Sequence, residues 1–237
     1  MNPTAFDDQP NRLLIMDTTL RDGEQTSGVA FTDTEKLSMA RILLENVQVD
    51  RIEIASARVS EGEFLGAGKV LAWAAEKGYL DRVEILGFVD GDISLKWISN
   101  AGGKVLNLLC KGSLKHVTEQ LRKTPEQHLA DIRKVIALAT EMGIRVNVYL
   151  EDWSNGMRNS REYVHTMISG LRYEKIDRFM LPDTLGILNP DETYAYCREM
   201  LESYPELAFD FHAHNDYDLA VANVYQALKA GIRCIHT

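Results

Sequence analysis

Two histidines, His212 and His214, are the residues of this sequence whose type and spacing first indicate chemistry. They lie in the stretch FDFHAHNDYDLAVAN, residues 209–223, where an apolar and aromatic alternation predicts a β-strand that runs into a polar segment. Successive side chains of a strand point to opposite faces, so the two imidazoles share a face with Cα atoms about 6.5 to 7 Å apart. Two imidazoles on one face can bind a single metal ion, whereas a half-exposed strand could carry both without any ligand.

The composition limits the classes of protein to which the chain can belong. With 237 residues, 45% of them hydrophobic, it is long enough for one large α/β barrel or two small domains. A net charge of -9 argues against a basic face for nucleic acid. Cys110, Cys197 and Cys234 are widely spaced and lack a CxxC pattern, which favours buried thiols in a reducing cytoplasm. Because neither a membrane-spanning run nor a signal peptide is evident, we expect a cytoplasmic protein that binds neither nucleic acid nor membranes.

Short β-rich runs alternate with longer segments of helical periodicity along the chain. We predict eight strands, at residues 13–17, 50–55, 83–88, 105–109, 145–150, 178–182, 208–212 and 232–236. We predict seven helices, at residues 33–46, 60–77, 94–101, 125–142, 160–171, 190–203 and 218–230. Thr124 and Asn189, each directly before a proline, predict helix N-termini. His116, His128 and His165 fall in helical segments, and we expect them to be solvated.

This alternation of strands and helices predicts βαβ units and a parallel sheet. An open doubly wound sheet usually has a glycine-rich turn after its first strand, and the segment DTTLRDGEQ is not such a turn. We therefore predict an α/β fold, a (β/α)8 TIM barrel, with the chain ending at the eighth strand and without the last helix. No linker or internal repeat divides the chain, so we predict an N-terminal extension at residues 1–12 and one catalytic domain at residues 13–237.

In such a barrel the functional residues lie at the carboxyl ends of the strands. Polar residues follow the predicted strands at these places: Asp17, Arg21, Asp22, Glu24, Glu53, Tyr149, Glu151, Asp152, Asp183, Thr184, His212, His214 and Asn215. Their concentration at one mouth favours a metal site on the paired histidines. Two imidazoles and one carboxylate suit a divalent cation such as Mn²⁺, Mg²⁺, Co²⁺ or Zn²⁺. Three protein ligands leave positions open for a substrate carbonyl, which the cation can polarise.

Three motifs carry a resemblance to a known family. DTTLRDGEQTSG at residues 17–28, LPDTLG at 181–186 and FHAHND at 211–216 resemble the signatures of the Claisen-condensing acyltransferases, a group of metal-dependent TIM barrels. That family contains isopropylmalate, homocitrate and citramalate synthases, with hydroxymethylglutaryl-CoA lyase as a relative. The segments ASARVSEGE, ILGFVDG, LNLLCKGS and NVYLEDWSNG are most similar to the bacterial (R)-citramalate synthase branch.

The resemblance implies roles for nine residues. It assigns Asp22, His212 and His214 to the metal, Arg21 to the keto oxygen of a 2-oxo acid, Thr184 to its carboxylate, Leu86, Leu109 and Tyr149 to the pocket for its side chain, and Glu151 to catalysis at the acetyl group. Each assignment has a simpler alternative from the residues alone.

Those alternatives are ion pairs and core packing. Arg21 could pair with Asp22, and Glu151 could pair with Lys111 at the barrel rim. Glu53 could be an interior charge that Arg21 satisfies. Leucines on barrel strands fill the core by default.

The resemblance implies condensation of acetyl-CoA with a small 2-oxo acid. The apolar residues assigned to the pocket favour pyruvate, which would give (R)-citramalate for isoleucine biosynthesis. The alternative is 2-oxoisovalerate, which a 2-isopropylmalate synthase uses for leucine biosynthesis, because a hydrophobic pocket discriminates one or two carbons by only about 1 to 3 kcal/mol. An acidic 2-oxo acid, as in homocitrate synthase, would need a cation in the pocket and ranks third.

The chain stops before the region where the family continues with an NGxGERAGN stretch, accessory subdomains and often a regulatory domain. We therefore expect accessory and regulatory domains to be absent and the eighth strand to lack its covering helix. A non-enzymatic alternative follows, in which the chain is an inactive metal-binding fragment that needs the missing part. The uncovered barrel wall and the habits of the family favour a homodimer.

Overall fold

The computed structural model describes residues 12–237, so residues 1–11 of the predicted N-terminal extension lie outside the described residues. Eight β-strands form the centre of the described chain. They are β1 (Leu14–Asp17), β2 (Arg51–Ser56), β3 (Val83–Phe88), β4 (Val105–Lys111), β5 (Arg145–Glu151), β6 (Phe179–Asp183), β7 (Phe209–Ala213) and β8 (Cys234–His236). Each strand begins and ends within about two residues of its prediction.

The strands close into a parallel barrel in the order of the sequence. Strand β8 pairs with β7 and with β1, which seals the sheet, and its His236 lies opposite His212. The predicted (β/α)8 barrel is therefore confirmed. Because all strands are parallel, their carboxyl ends share one mouth, where the side chains at the ends of β1, β5, β6 and β7 gather.

Eight α-helices surround the barrel within residues 12–237. They are α1 (Asp33–Arg41), α2 (Glu61–Lys77), α3 (Ile93–Ala101), α4 (Pro125–Glu141), α5 (Trp153–Asn159), α6 (Arg161–Leu171), α7 (Pro190–Ser203) and α8 (Ala220–Ala230). The predicted helix at 33–46 is α1 continued by a π-helical turn, Ile42–Val47. Among the described residues, no helix combines the length and the apolar character that crossing a membrane requires.

The predicted helix starts at Thr124 and Asn189 are confirmed, and both form capping boxes. The Thr124 hydroxyl accepts the backbone N–H of Gln127, whose side chain accepts the N–H of Thr124 in return. Asn189 and Glu192 do the same at the start of α7. Each box satisfies two backbone donors that would otherwise lack partners in the first helical turn.

Helix α5 was not predicted, because its seven residues, WSNGMRN, contain an Asn-Gly pair that usually indicates a turn. The helix directly follows β5 and begins after Asp152, a non-glycine residue with φ 65°. Gly156 is required inside it, because a Cβ there would clash with the backbone oxygen of Gly112. This close approach presses α5 against the end of β4.

The barrel interior holds a buried network of charges below the mouth. Arg51 on β2 donates to Glu84 on β3 over 2.8 Å and also pairs with Asp210 on β7, which β1 and β8 separate from β2. Arg178 also donates to Asp210, over 3.0 Å. These ions are tolerable inside the barrel because each has a partner of opposite charge.

The expectation that His128 is solvated was wrong. Its side chain is only 1% exposed, on the inner face of α4, and its Nε2 accepts the backbone N–H of Lys111 over 3.1 Å. Burial lowers the pKa of His128 to about 4, with the Lys123 charge adding to the effect. The ring is therefore neutral at pH 7 and anchors the end of β4. His116 and His165 are partly buried.

Candidate metal centre and active site

Asp22, His212 and His214 meet at the mouth of the barrel. Asp22 lies in the turn after β1, and the two histidines lie at the end of β7. One ligand atom from each residue lies within 4.8 Å of the other two. The Nε2 atoms of His212 and His214 are 3.0 Å and 3.5 Å from Oδ2 of Asp22. The three side chains that the sequence singled out as candidate ligands are thus adjacent and converge on one point.

The chemistry of this donor set fits a divalent cation. Burial lowers the pKa of His212 despite its contact with Asp22, which favours the neutral, ligating form of the imidazole. Burial alone would raise the pKa of Asp22, but the contact with His212 and the charge of Arg21 lower it overall. The centre therefore offers one carboxylate and two imidazole nitrogens, a combination suited to Mg²⁺, Mn²⁺, Co²⁺ or Zn²⁺.

Arg21 is fixed beside this centre by two carboxylates. Its Nη1 donates to Oδ1 of Asp22 over 2.7 Å, and its Nε forms a short ion pair with Glu53 on β2. Burial would lower the pKa of Arg21, but Glu53 foremost and then Tyr149 and Asp22 raise it overall. Glu53 is fully buried and also accepts the amide of Asn107 over 2.7 Å. Glu53 therefore fixes the position of the Arg21 guanidinium, and Arg21 in turn neutralises the buried charge of Glu53.

A cavity of about 430 Å³ opens next to the three candidate ligands. Its lining comes from the loop after β1 and from the ends of β7 and β8: Thr18, Thr19, Asp22, Gly23, Gln25, Thr26, His212, Ala213, His214, Asn215, His236 and Thr237. The other predicted site residues lie outside this lining: Arg21, Leu86, Leu109, Tyr149, Glu151 and Thr184. The cavity is large enough for a small organic ligand beside a metal ion.

Leu86, Leu109 and Tyr149 form one apolar cluster inside the barrel with Met16 and Met180. Leu86 and Tyr149 are buried, whereas Leu109 is partly exposed. The Arg21 guanidinium lies 5.9 Å from the centre of the Tyr149 ring, which joins this cluster to the candidate metal centre. The three residues predicted to line a side-chain pocket therefore belong to one cluster.

Thr184 and Glu151 lie at the ends of the neighbouring strands β6 and β5. The Thr184 hydroxyl oxygen accepts the backbone N–H of Asp152 over 2.9 Å. Glu151 forms a short ion pair with Lys111 on β4, the pairing that the sequence left open as an alternative. An ion pair at a partly exposed rim does not by itself exclude a catalytic role for Glu151.

His236 on β8 lines the same cavity and was not among the predicted site residues. Its Nδ1 lies 3.3 Å from Nδ1 of His212 and 3.0 Å from the Tyr149 hydroxyl. The signal that could have identified it is the parallel pairing of β7 with β8, which places His236 opposite His212. Such a register does not follow from periodicity within one strand.

Comparison with known proteins places these features in a family. The profile of the HMGL-like family matches residues 12–237. A 2-isopropylmalate synthase of Sulfurisphaera tokodaii is 30% identical over 98% of this chain and 58% of the relative. A Methanopyrus kandleri protein assigned as an (R)-citramalate synthase is 32% identical over 97% of this chain and 43% of the relative. A homocitrate synthase of Sulfolobus acidocaldarius is 29% identical over 94% of this chain and 47% of the relative. The chain thus spans about half the length of such relatives.

Solved structures share the fold at lower identity. The crystal structure of an HMG-CoA lyase of Bacillus subtilis has a TM-score of 0.75 at 22% identity and covers 96% of this chain and 76% of the lyase chain. The carboxyl transferase domain of Rhizobium etli pyruvate carboxylase has a TM-score of 0.70 at 14% identity, over 97% of this chain and 40% of that chain. With its closed eight-stranded barrel and a family match over residues 12–237, this chain belongs to the HMGL-like family.

Proposed function

We propose that this chain is the catalytic barrel, residues 13–237, of an acyl-transferring synthase that condenses acetyl-CoA with a small 2-oxo acid in a reaction that depends on a divalent metal. The observation that carries the proposal is the convergence of Asp22, His212 and His214 at the barrel mouth, with ligand atoms within 4.8 Å of one another. The relatives named as isopropylmalate, citramalate and homocitrate synthases support this reaction class.

Asp22, His212 and His214 would hold the cation. When bound, a divalent cation at these residues supplies Lewis-acid stabilisation of negative charge on the keto oxygen of the 2-oxo acid. The proposed metal is Mn²⁺, Mg²⁺, Zn²⁺ or Co²⁺, all of which accept mixed oxygen and nitrogen ligands.

Arg21 would donate to the same keto oxygen as the carbonyl carbon is attacked. Glu53 and Asp22 hold the guanidinium in place before substrate arrives, so little reorganisation is needed when negative charge develops. The buried position of Arg21 strengthens this interaction relative to one in water. Arg21 is therefore the principal catalytic cation that the chain itself provides.

Thr184 would orient the carboxylate of the 2-oxo acid. Because its hydroxyl oxygen already accepts the Asp152 N–H, the hydroxyl proton remains available for donation to a carboxylate oxygen. This contact occupies one lone pair of Thr184 and leaves its single hydroxyl proton free for the ligand.

Glu151 would remove a proton from the methyl group of acetyl-CoA. The resulting carbanion attacks the keto carbon, the keto oxygen takes up a proton to become a hydroxyl, and water cleaves the thioester to release coenzyme A thiol. Lys111 pairs with Glu151 and holds its side chain in place at the rim of the barrel. As a biosynthetic enzyme of this kind, the protein would act in the cytoplasm as a homodimer.

The apolar cluster of Leu86, Leu109 and Tyr149 favours pyruvate as the 2-oxo acid and (R)-citramalate as the product. A methyl group suits this small and dry environment. The alternative is 2-oxoisovalerate, the substrate of a 2-isopropylmalate synthase, because its isopropyl group is also apolar. A substrate with a second carboxylate ranks third, since the cluster contains no cation besides the doubly paired Arg21 at its edge.

The decisive experiment follows thiol release from acetyl-CoA with Mn²⁺ and each of pyruvate, 2-oxoisovalerate and 2-oxoglutarate. It is done with both the 237-residue chain and the natural full-length protein. Thiol release that depends on both Mn²⁺ and a 2-oxo acid, with the highest kcat/KM for pyruvate, is expected from the full-length protein. Metal binding by the 237-residue chain without thiol release would instead support the alternative of an inactive metal-binding fragment that needs the missing C-terminal part. Release that needs no 2-oxo acid would contradict the condensation.

A further inference from the structure

Asp210, two residues before His212 on β7, begins a chain of contacts that leads to the candidate metal centre. Its carboxylate is completely buried and pairs with Arg51 and Arg178. A carboxylate held between two guanidinium groups stays ionised and can only accept hydrogen bonds. Nε2 of His236 lies 3.3 Å from Oδ2 of Asp210. The proton of His236 therefore belongs on Nε2, facing Asp210.

The opposite nitrogen of His236 faces the candidate centre. His236 is buried, and its carboxylate partner Asp210 is already paired with two arginines, so the neutral ring with a single proton is the favoured form. With Nε2 protonated, Nδ1 is an acceptor. The atoms nearest to it are the Tyr149 hydroxyl at 3.0 Å and Nδ1 of His212 at 3.3 Å. The Tyr149 hydroxyl and Nδ1 of His212 must therefore both donate to Nδ1 of His236. His212 accordingly carries its proton on Nδ1.

Counting the protons between the carboxylates of Asp22 and Asp210 assigns the same tautomer to His212. Between the carboxylates of Asp22 and Asp210 stand two imidazoles and three gaps: Asp22 to His212 at 3.0 Å, His212 to His236 at 3.3 Å, and His236 to Asp210 at 3.3 Å. Two neutral imidazoles supply two protons, which fill two gaps and leave two lone pairs facing each other in the third. A cation other than a proton fits only the gap beside Asp22, where His214 provides a further nitrogen ligand.

The main competing explanation for the contacts of His236 is a second metal site around Asp210. Asp210, Cys234 and His236 also have ligand atoms within 4.8 Å of one another. Arg51 already occupies that position, since its Nη2 lies 2.9 Å from Sγ of Cys234 and also pairs with Asp210. Burial further raises the pKa of Cys234 to about 12, which disfavours the thiolate that a metal would need. Asp210, Cys234 and His236 therefore do not form a second metal centre, and Asp210 instead orients His236.

We propose that His236, oriented by Asp210, is a positioning residue that accepts the Nδ1–H of His212 and so leaves Nε2 of His212 free for the divalent cation; this inference rests on the proposed function. The Asp210–His236 pair determines both the tautomer and the ring orientation of His212. Partners of this kind raise the affinity of a ligating histidine for its metal, and their loss typically lowers metal affinity about 10- to 100-fold.

The test compares two amide substitutions at His236 in the full-length protein, with Co²⁺ alone as the probe. An asparagine side chain can place its oxygen near the position of Nδ1, facing His212, whereas a glutamine side chain reaches the position of Nε2, facing Asp210. We expect His236→Asn to bind Co²⁺ nearly as tightly as the wild type and His236→Gln to bind about 10- to 100-fold more weakly by titration calorimetry. Circular dichroism confirms that both variants are folded.

A spectroscopic measurement on the wild type also tests the inference, even without the variants. In the Co²⁺ protein, the Nδ1–H of His212 gives a hyperfine-shifted proton resonance, whose exchange with solvent we expect to be slow in the wild type and in His236→Asn. A rapidly exchanging resonance in the wild type overturns the inference, even if either variant fails to fold. Equal Co²⁺ affinity of the wild type and folded His236→Gln also overturns it, while synthase activity would then still stand. If the Co²⁺ affinities of the two variants follow the expected pattern but no thiol is released, the inference is supported and the proposed condensation is contradicted.

Discussion

The backbone N–H of Asp152 donates to the hydroxyl oxygen of Thr184 over 2.9 Å, which ties the end of β5 to the end of β6. Asp152 can do so because its φ of 65° turns the chain sharply between Glu151 and α5. Its carboxylate accepts the Ser113 hydroxyl over 2.7 Å and the Asn155 amide over 2.8 Å, and these contacts hold the unusual backbone in place. Backbone strain of this kind, when the surroundings maintain it, is concentrated at functional sites.

The first prediction concerns this turn. Asp152→Ala removes the contacts of the carboxylate with Ser113, Asn155 and His116 and leaves a residue that tolerates positive φ poorly, so we expect the free energy of unfolding to fall by about 1 to 3 kcal/mol. Asp152→Asn, which tolerates positive φ and keeps an acceptor, should remain close to the wild type. Urea denaturation measures both. Equal stability of the two variants would show that the carboxyl oxygens do not maintain the turn.

The second prediction concerns the buried pair of Arg21 and Glu53. Arg21→Met leaves the Glu53 carboxylate without its cation in the barrel interior, and the expected loss of stability is about 3 to 5 kcal/mol. Replacing both residues by methionine should cost less than the sum of the two single substitutions, by about 1 to 3 kcal/mol. A double-mutant cycle by chemical denaturation measures this difference. Strict additivity would contradict a direct coupling, and loss of thiol release is expected in every variant that lacks Arg21.

The third prediction is a pH dependence from His128. Its pKa of about 4 in the folded state lies below the ordinary value of 6.5, so between these values the unfolded chain binds more protons. Stability therefore rises with pH from about 4 to 6.5, and this single group contributes about 3 kcal/mol across that window. His128→Gln keeps an acceptor near the position of Nε2 and does not titrate. Its unfolding free energy should change less between pH 4.5 and 7, and an unchanged slope would contradict the prediction.

The fourth prediction concerns substrate size. Leu109→Ala enlarges the cluster around Tyr149, so the ratio of kcat/KM for 2-oxoisovalerate to that for pyruvate should rise about 10-fold or more. Leu108 is the matched control, because it lies next to Leu109 on β4 and packs into the outer core beneath the helices. Leu108→Ala should lower stability by about 2 to 5 kcal/mol without changing the ratio. If the two variants shift the ratio equally, the cluster around Leu109 does not determine specificity.

The sequence predicted the barrel well because its strands are short apolar runs between helices with clear start signals. It missed α5 because Asn155 and Gly156 resemble a turn, whereas the close packing of Gly156 on Gly112 favours a helix there. It misjudged His128 because helical position alone does not show which face of α4 is buried. Packing between distant segments decided both cases.

The candidate site was predictable to the extent that a barrel brings all strand ends together. The proximity of Asp22 to His212 and His214 follows from that rule, and so does the cluster around Tyr149. The contribution of His236 depends on the register of β8 against β7, and the pairing of Asp210 with two arginines depends on side chains that reach across the barrel. Neither relationship leaves a periodic signal in the chain.

The network centred on Arg51 also has a consequence for how the chain folds. Arg51 and Glu84 come from β2 and β3, but Asp210, which completes their environment, arrives only with β7. A half-formed barrel made of the early strands would bury the Arg51–Glu84 ion pair without its further partner Asp210, so the desolvation of the guanidinium would be only partly compensated. We therefore expect no stable amino-terminal half-barrel, and a folding transition in which the last strands to be synthesised are needed before the first ones become protected from hydrogen exchange.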